Sequence, residues 1–180
     1  MPDLPADADF ARLADAVDAD LLEALPPLAK DPDVYGFALF VPGDAGAAGM
    51  MHAAGRESAV TAAPGTAVET DQRYSPVEWE PTPASMRAAN DVLDELARRF
   101  EAACESLSEE DGAATHDRFI DRCAEAALTA MRRRKDAGSF GTIWYRVLTM
   151  SDDEHPVLKA AFEQLNEGRA LEEARPLYDF

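Results

Sequence analysis

Apolar positions along the chain repeat at two spacings, and the change from one to the other divides it into helices and strands. From Asp9 to Ala29, residues Phe10, Leu13, Ala14, Val17, Leu21, Leu22 and Leu25 recur at steps of three and four, one stripe of a helix. Asp7 or Asp9 is placed to cap its start, and Pro26-Pro27 predicts its end. Val34 to Val41 is nearly continuous in hydrophobicity and rich in aromatic and branched residues, the pattern of a strand covered on both faces. Pro42-Gly43-Asp44-Ala45-Gly46 has the composition of a turn, so Ala48 to Ala54 reads as a second, antiparallel strand. Arg56 to Ala63 has room for one helical turn before Pro64-Gly65, and Thr66 to Tyr74 reads as a third strand.

The second half is mainly helical. Thr82-Pro83 opens a helix with Thr at the cap and Pro at the first position, and Met86, Ala89, Val92, Leu93, Leu96, Phe100 and Ala103 form its stripe as far as Ser106. Leu107 to Gly112 is a polar, acidic connection. A further helix from His116 carries Phe119, Ile120, Cys123, Ala124, Ala127, Leu128 and Met131. It ends in Arg132-Arg133-Arg134-Lys135, cations that complement the negative helix terminus before Gly138 stops it. Gly141 to Met150 is a strand, Ser151-Asp152-Asp153 a cap region, and Val157 to Gly168 a helix, with a short helix before Pro176 in the tail. These elements predict one α+β domain over residues 1–180, frayed at 1–8 and 179–180. Its small, mostly antiparallel sheet is covered by amphipathic helices, with strands 34–41 and 143–150 at the centre.

Composition changes this picture in one respect. Hydrophobic residues at 47% and charged residues at 29% make an ordinary globular balance, but the net charge is -18. A field of that sign repels nucleic-acid phosphates and anionic membrane surfaces, which excludes both as partners. It suits a salt-rich or high-GC setting, and it also suits steering towards a basic protein. Cys104 and Cys123 fall in helical stripes and form no disulfide framework, so the expected compartment is the cytoplasm. No apolar run is long enough to span a membrane.

Chemistry-bearing motifs are sparse. His116 and Cys123 lie two turns apart on one helical face, but the close ligand pairs of a zinc site are absent. Asp152-Asp153-Glu154-His155 has residue types for acid–base work, and equally for capping the helix that follows. No phosphate loop, nucleotide fingerprint or Ser-His-Asp arrangement occurs, so no catalytic residue, metal ligand or cofactor is assigned. The most informative stretch is Arg73-Tyr74-Ser75-Pro76-Val77-Glu78-Trp79-Glu80. Ser75 reads as an N-cap, Pro76 as the first helical residue and Glu78 as the partner of a capping box, with Pro81 closing the turn and Trp79 held in a fixed direction.

The strand from Val34 to Phe40, then Tyr74-Ser75-Pro76-Val77-Glu78-Trp79, two helices and a strand ending near Ser151-Asp152 together resemble a mainly bacterial family designated domain of unknown function 4303. The resemblance spans Phe10 to Tyr178. It implies an immunity or accessory role beside toxins and brings no catalytic residues with it. The leading expectation is therefore a protein-binding module for a basic partner, with Tyr74, Glu78, Trp79, Asp152 and Asp153 as binding residues. The alternative is a small-molecule-binding protein or enzyme with a pocket near Trp79 and Asp152 to His155.

Overall fold

The computed structural model describes residues 4–42, 49–79, 81–82, 86–105, 107–151 and 155–178. The first helix, α1 (Asp7–Leu28), buries the predicted stripe of Phe10, Leu13, Ala14, Val17, Leu21 and Leu25. Asp9 serves its start by accepting the Ala6 N–H at 2.8 Å. Pro26 and Pro27 lie inside the last turn rather than beyond it. The carbonyls deprived of a donor belong to Leu22 and Glu23, both exposed, so the helix closes at Leu28 without stranding buried groups.

Four strands form one mixed sheet in the order β3-β2-β1-β4. β1 (Val34–Phe40) is central; β2 (Met51–Arg56) pairs antiparallel with it, and β4 (Tyr145–Thr149) pairs parallel on its other side. β3 (Pro81–Thr82) adds two residues beyond β2. The 143–150 strand is thus an edge, not part of the centre. The chain leaves the sheet through two long helices before β4, and a crossover of that kind returns a strand parallel to β1.

Three helices begin at places other than expected. The expected third strand is instead helix α2 (Ala67–Tyr74). Thr66 accepts the Glu69 N–H, and the Glu69 carboxylate accepts the Gly65 N–H at 2.7 Å, so Thr66 and Glu69 act as a capping pair. Helix α3 (Arg87–Cys104) starts after the Thr82-Pro83 pair, because Thr82 is in β3 opposite His52. Its first turn is capped from outside: buried Asp20 of α1 accepts the Ala88 and Ala89 N–H groups at 3.3 and 2.8 Å. Helix α4 (Glu109–Asp136) takes in most of the predicted acidic connection, since Ser108 accepts the Asp111 N–H and three carboxylates occupy the positive end.

α1, α3 and α4 cover one face of the sheet. Phe37 and Leu39 point into that core with Leu13, Val17, Leu96 and Met131, and the buried alanines Ala124, Ala127 and Ala130 line α4's inner side. The basic end of α4 is engaged: Arg133 binds Asp15 and Arg134 binds Asp18, both at 2.7 Å, and Lys135 donates to the Gln164 carbonyl. It stitches α4 to α1 and α5 (Pro156–Leu165) rather than standing free in solvent.

Two asparagines finish the backbone hydrogen bonding. Asn166 accepts the Arg146 N–H at 2.8 Å and donates to the Arg146 carbonyl at 2.6 Å; Asn90 does the same for Met50 at 2.6 and 3.0 Å. Replacing Asn166 by Ala leaves both Arg146 groups unpaired beside a buried position. A loss of about 1–3 kcal/mol is expected, read as a lower urea midpoint at unchanged slope. An unchanged midpoint would show that water replaces the amide there.

Candidate functional site

The opposite face of the sheet carries the Tyr74 to Trp79 segment. Pro76–Glu78 forms a single 3₁₀ turn after Ser75, but the Ser75 hydroxyl caps nothing. The predicted Ser75–Glu78 box gives way to backbone bonds, Glu78 N–H to Ser75 C=O at 3.0 Å and Trp79 N–H to Pro76 C=O at 3.1 Å. The turn sends Trp79 inward. Its indole lies over Gly36 of β1 and Gly55 of β2, which are register partners. A methyl group at Gly36 would stand 2.6 Å from Trp79 Cη2, and one at Gly55 2.7 Å from Cζ2. The indole N–H donates to the Gln72 carbonyl at 3.2 Å.

Aromatic rings close around it. Tyr35 and Tyr145 meet the indole edge-on at 6.0 and 5.9 Å, and Trp144 stacks on Tyr35 at 5.7 Å. The Tyr145 hydroxyl donates to the Tyr74 carbonyl, and the Tyr35 hydroxyl to the Arg73 carbonyl. Burial raises the Tyr35, Tyr74 and Tyr145 phenols well above the ordinary range, so they remain protonated donors at neutral pH and offer no base. Charged groups ring the cluster. Arg73 holds Glu57 and Glu69, Arg169 holds Glu173 at 2.8 Å and lies 4.2 Å from the Trp144 ring centre, and Glu173 accepts the Tyr74 hydroxyl.

Of the residues expected to bind, Tyr74 and Trp79 are brought together, yet each is only 7% exposed. They are packing residues of this core, not an exposed recognition surface. Glu78 and Val77 are the parts of the segment that face solvent. Asp152 and Asp153 lie outside the described residues. His155 caps α5 by accepting the Val157 N–H, while its Nε2 lies 3.0 Å from Asp121 on α4. It therefore turns to the face of the sheet opposite Trp79, and a pocket shared by Trp79 and His155 is not formed. Tyr35, Arg169 and Glu173 are not singled out by the sequence, and Arg73 is read there only as the start of the Tyr74 to Trp79 segment. The signal that points to them is a glycine inside each of two strands, which marks a close approach by another group.

Other chemistry is limited. Cys123 is buried and its thiol is pushed up to about 12 by desolvation, so it is unreactive at neutral pH. Among the described residues no three His, Cys, Asp or Glu side chains are grouped to hold a metal ion, and no helix is long and apolar enough to cross a membrane.

The distribution of charge is more distinctive. Arg12, Arg56, Arg73, Arg99, Arg122, Arg133, Arg134 and Arg169 all bind carboxylates of the same chain. Where α3 ends and α4 begins, Glu101, Glu105, Glu109, Glu110 and Asp111 are exposed in a stretch with no Lys or Arg. Residues 13–167 match the model of a family described as a domain of unknown function (DUF4303). Comparison with curated proteins and with solved structures gives no match.

Two outcomes are expected here. Gly36→Ala should cost about 1–3 kcal/mol through overpacking, and less in a Trp79→Leu background, where the clash is gone. Equal cost in both backgrounds would refute the seat. Glu173 has its carboxyl held below the usual range, first by the Arg169 hydrogen bond and also by Tyr74. Its stabilising contribution is complete above the unfolded value of about 4.3 and is lost as pH falls through the lower folded value. Glu173→Gln should thus flatten the acid limb of a stability–pH curve, and an unaltered limb would count against this linkage.

Proposed function

The chain belongs to the DUF4303 family, and we propose that it serves as a protein-binding module for a basic partner in the cytoplasm. The observation that carries this reading is the allocation of charge. At a net charge of -18, the arginines named above are tied to carboxylates within the fold, which leaves exposed acid such as the α3–α4 corner to set the outer field. Such a field raises the encounter rate with a cation-rich protein and opposes phosphate-bearing ones. The specific form we favour is an immunity-type or toxin-accessory protein. Acidity suits the covering of a basic toxin, and the buried state of Tyr74 and Trp79 assigns affinity to other residues.

Capture of partners from the native host at low and high salt supplies the candidate, and stopped-flow association supplies the test. Between about 20 and 300 mM salt the on-rate should fall by roughly tenfold or more while the off-rate changes little. A partner of neutral or acidic charge, or an on-rate indifferent to salt, would overturn the proposal.

A further inference from the structure

On the helical face, the start of α1 and the crossing of α3 and α4 enclose a groove of about 310 Å³. Its floor is made by the small exposed parts of three otherwise buried rings, which, unlike Tyr74 and Trp79, line an open groove. Phe100 stacks on Phe119 at 4.6 Å, and Phe10 meets Phe119 edge-on at 5.8 Å. Leu4, 44% exposed, and Pro5 form one wall.

Most of the polar lining is paired within the fold. Arg122 binds Asp7 at 2.7 Å and Glu125 at 3.2 Å while covering the Phe10 ring, and Asp121 is held by His155. Arg118 is different: it donates to the Ala114 carbonyl and the Thr115 hydroxyl, and among the described residues it binds no carboxylate. Immediately outside the groove the chain is acidic. Asp111 precedes Thr115 by one turn on the same stripe of α4, and Glu101 follows Phe100 at the α3–α4 corner, both exposed.

We propose that this groove is the anchor point for the basic partner, and the inference rests on the protein-binding reading above. One apolar or aromatic side chain of the partner seats on the Phe100–Phe119 floor, and its flanking lysines or arginines meet Asp111 and the other acids of the α3–α4 corner, Glu101 among them. Charge complementarity selects this occupant. A second copy of the chain brings another -18 to the same place and is repelled, and so is a nucleic acid. The volume sits at the lower end of the about 300–1,000 Å³ typical of small-molecule sites, which fits a side chain or two better than a larger ligand. Of the two lining cations, Arg118 is then the one with no carboxylate partner among the described residues, placed where it opposes the partner's cations.

That sign gives the test. Arg118→Glu and Arg132→Glu change the net charge equally, and Arg132 lies exposed about 21 Å along the same helix, from ~1.5 Å per residue. The probe is a capped hexapeptide of two phenylalanines between pairs of lysines, followed by amide chemical shifts and by affinity. A capped hexalysine serves as control. The expected result is that shifts from the phenylalanine peptide concentrate around Phe10, Phe100, Thr115 and Phe119. Arg118→Glu should tighten it about five- to tenfold and Arg132→Glu less than about twofold. Equal effects of the two substitutions, no preference over hexalysine, or no binding would overturn the groove as anchor. These outcomes leave the wider reading standing, because that fails separately, through the salt dependence and charge of the natural partner.

Discussion

The contact between Trp79 and the paired glycines Gly36 and Gly55 constrains more of this fold than any other. An indole can lie flat against a sheet only where two neighbouring strands give up their side chains at the same level, and the register of β1 and β2 supplies that level. Once the ring is seated, the rest of the face follows. Tyr35 and Tyr145 pack its edges, Tyr145 fixes the carbonyl of Tyr74, and the 3₁₀ turn from Pro76 to Glu78 is drawn tight between Tyr74 and Trp79. The irregular pairing between Val34 and Gly36 belongs to the same constraint, since Tyr35 and the open side of Gly36 both serve this face.

Much of this was legible in the chain, and what was not has a common physical cause. The stripe of α1, the continuous hydrophobicity of β1 and the importance of the Tyr74 to Trp79 segment all rest on local patterns. Periodicity failed where a side chain distant in sequence supplied the missing partner. Asp20 caps a helix 68 residues later, which no window around Ala88 reveals. The parallel edge position of β4 was hidden similarly, because Asn166 and α5 bury a strand that would otherwise look exposed. Thr66 and Glu69 are a different case: the capping pair is local and present in the sequence, and Asp71-Gln72 already interrupts the strand pattern of Thr66 to Tyr74. For Trp79 the segment is legible, while the direction in which it is held is not. Its neighbours in space, the two glycines, carried that information.

The arginines show a division of labour. Cations in α4 bind α1 at Asp7, Asp15 and Asp18, and Arg99 of α3 binds Asp9, so the helical layer is fastened by charge as well as by its apolar seam. Several of these pairs are largely exposed, and each contributes only about 0–1 kcal/mol. Their larger effect is on the field outside, because a cation paired within the layer no longer offsets the acid at the α3–α4 corner. High ionic strength weakens both the fastening and the field, but the aromatic and aliphatic seam beneath does not depend on it.

Asn166 has a consequence for how this protein can be recognised. Its amide offers the Arg146 backbone the same acceptor and donor that a neighbouring strand would offer, so the middle of β4 is already occupied on its outer side. An extended peptide cannot add itself to the sheet at that point without first displacing the side chain. The same plug removes a template for edge-to-edge aggregation, a hazard that a parallel edge strand would otherwise carry.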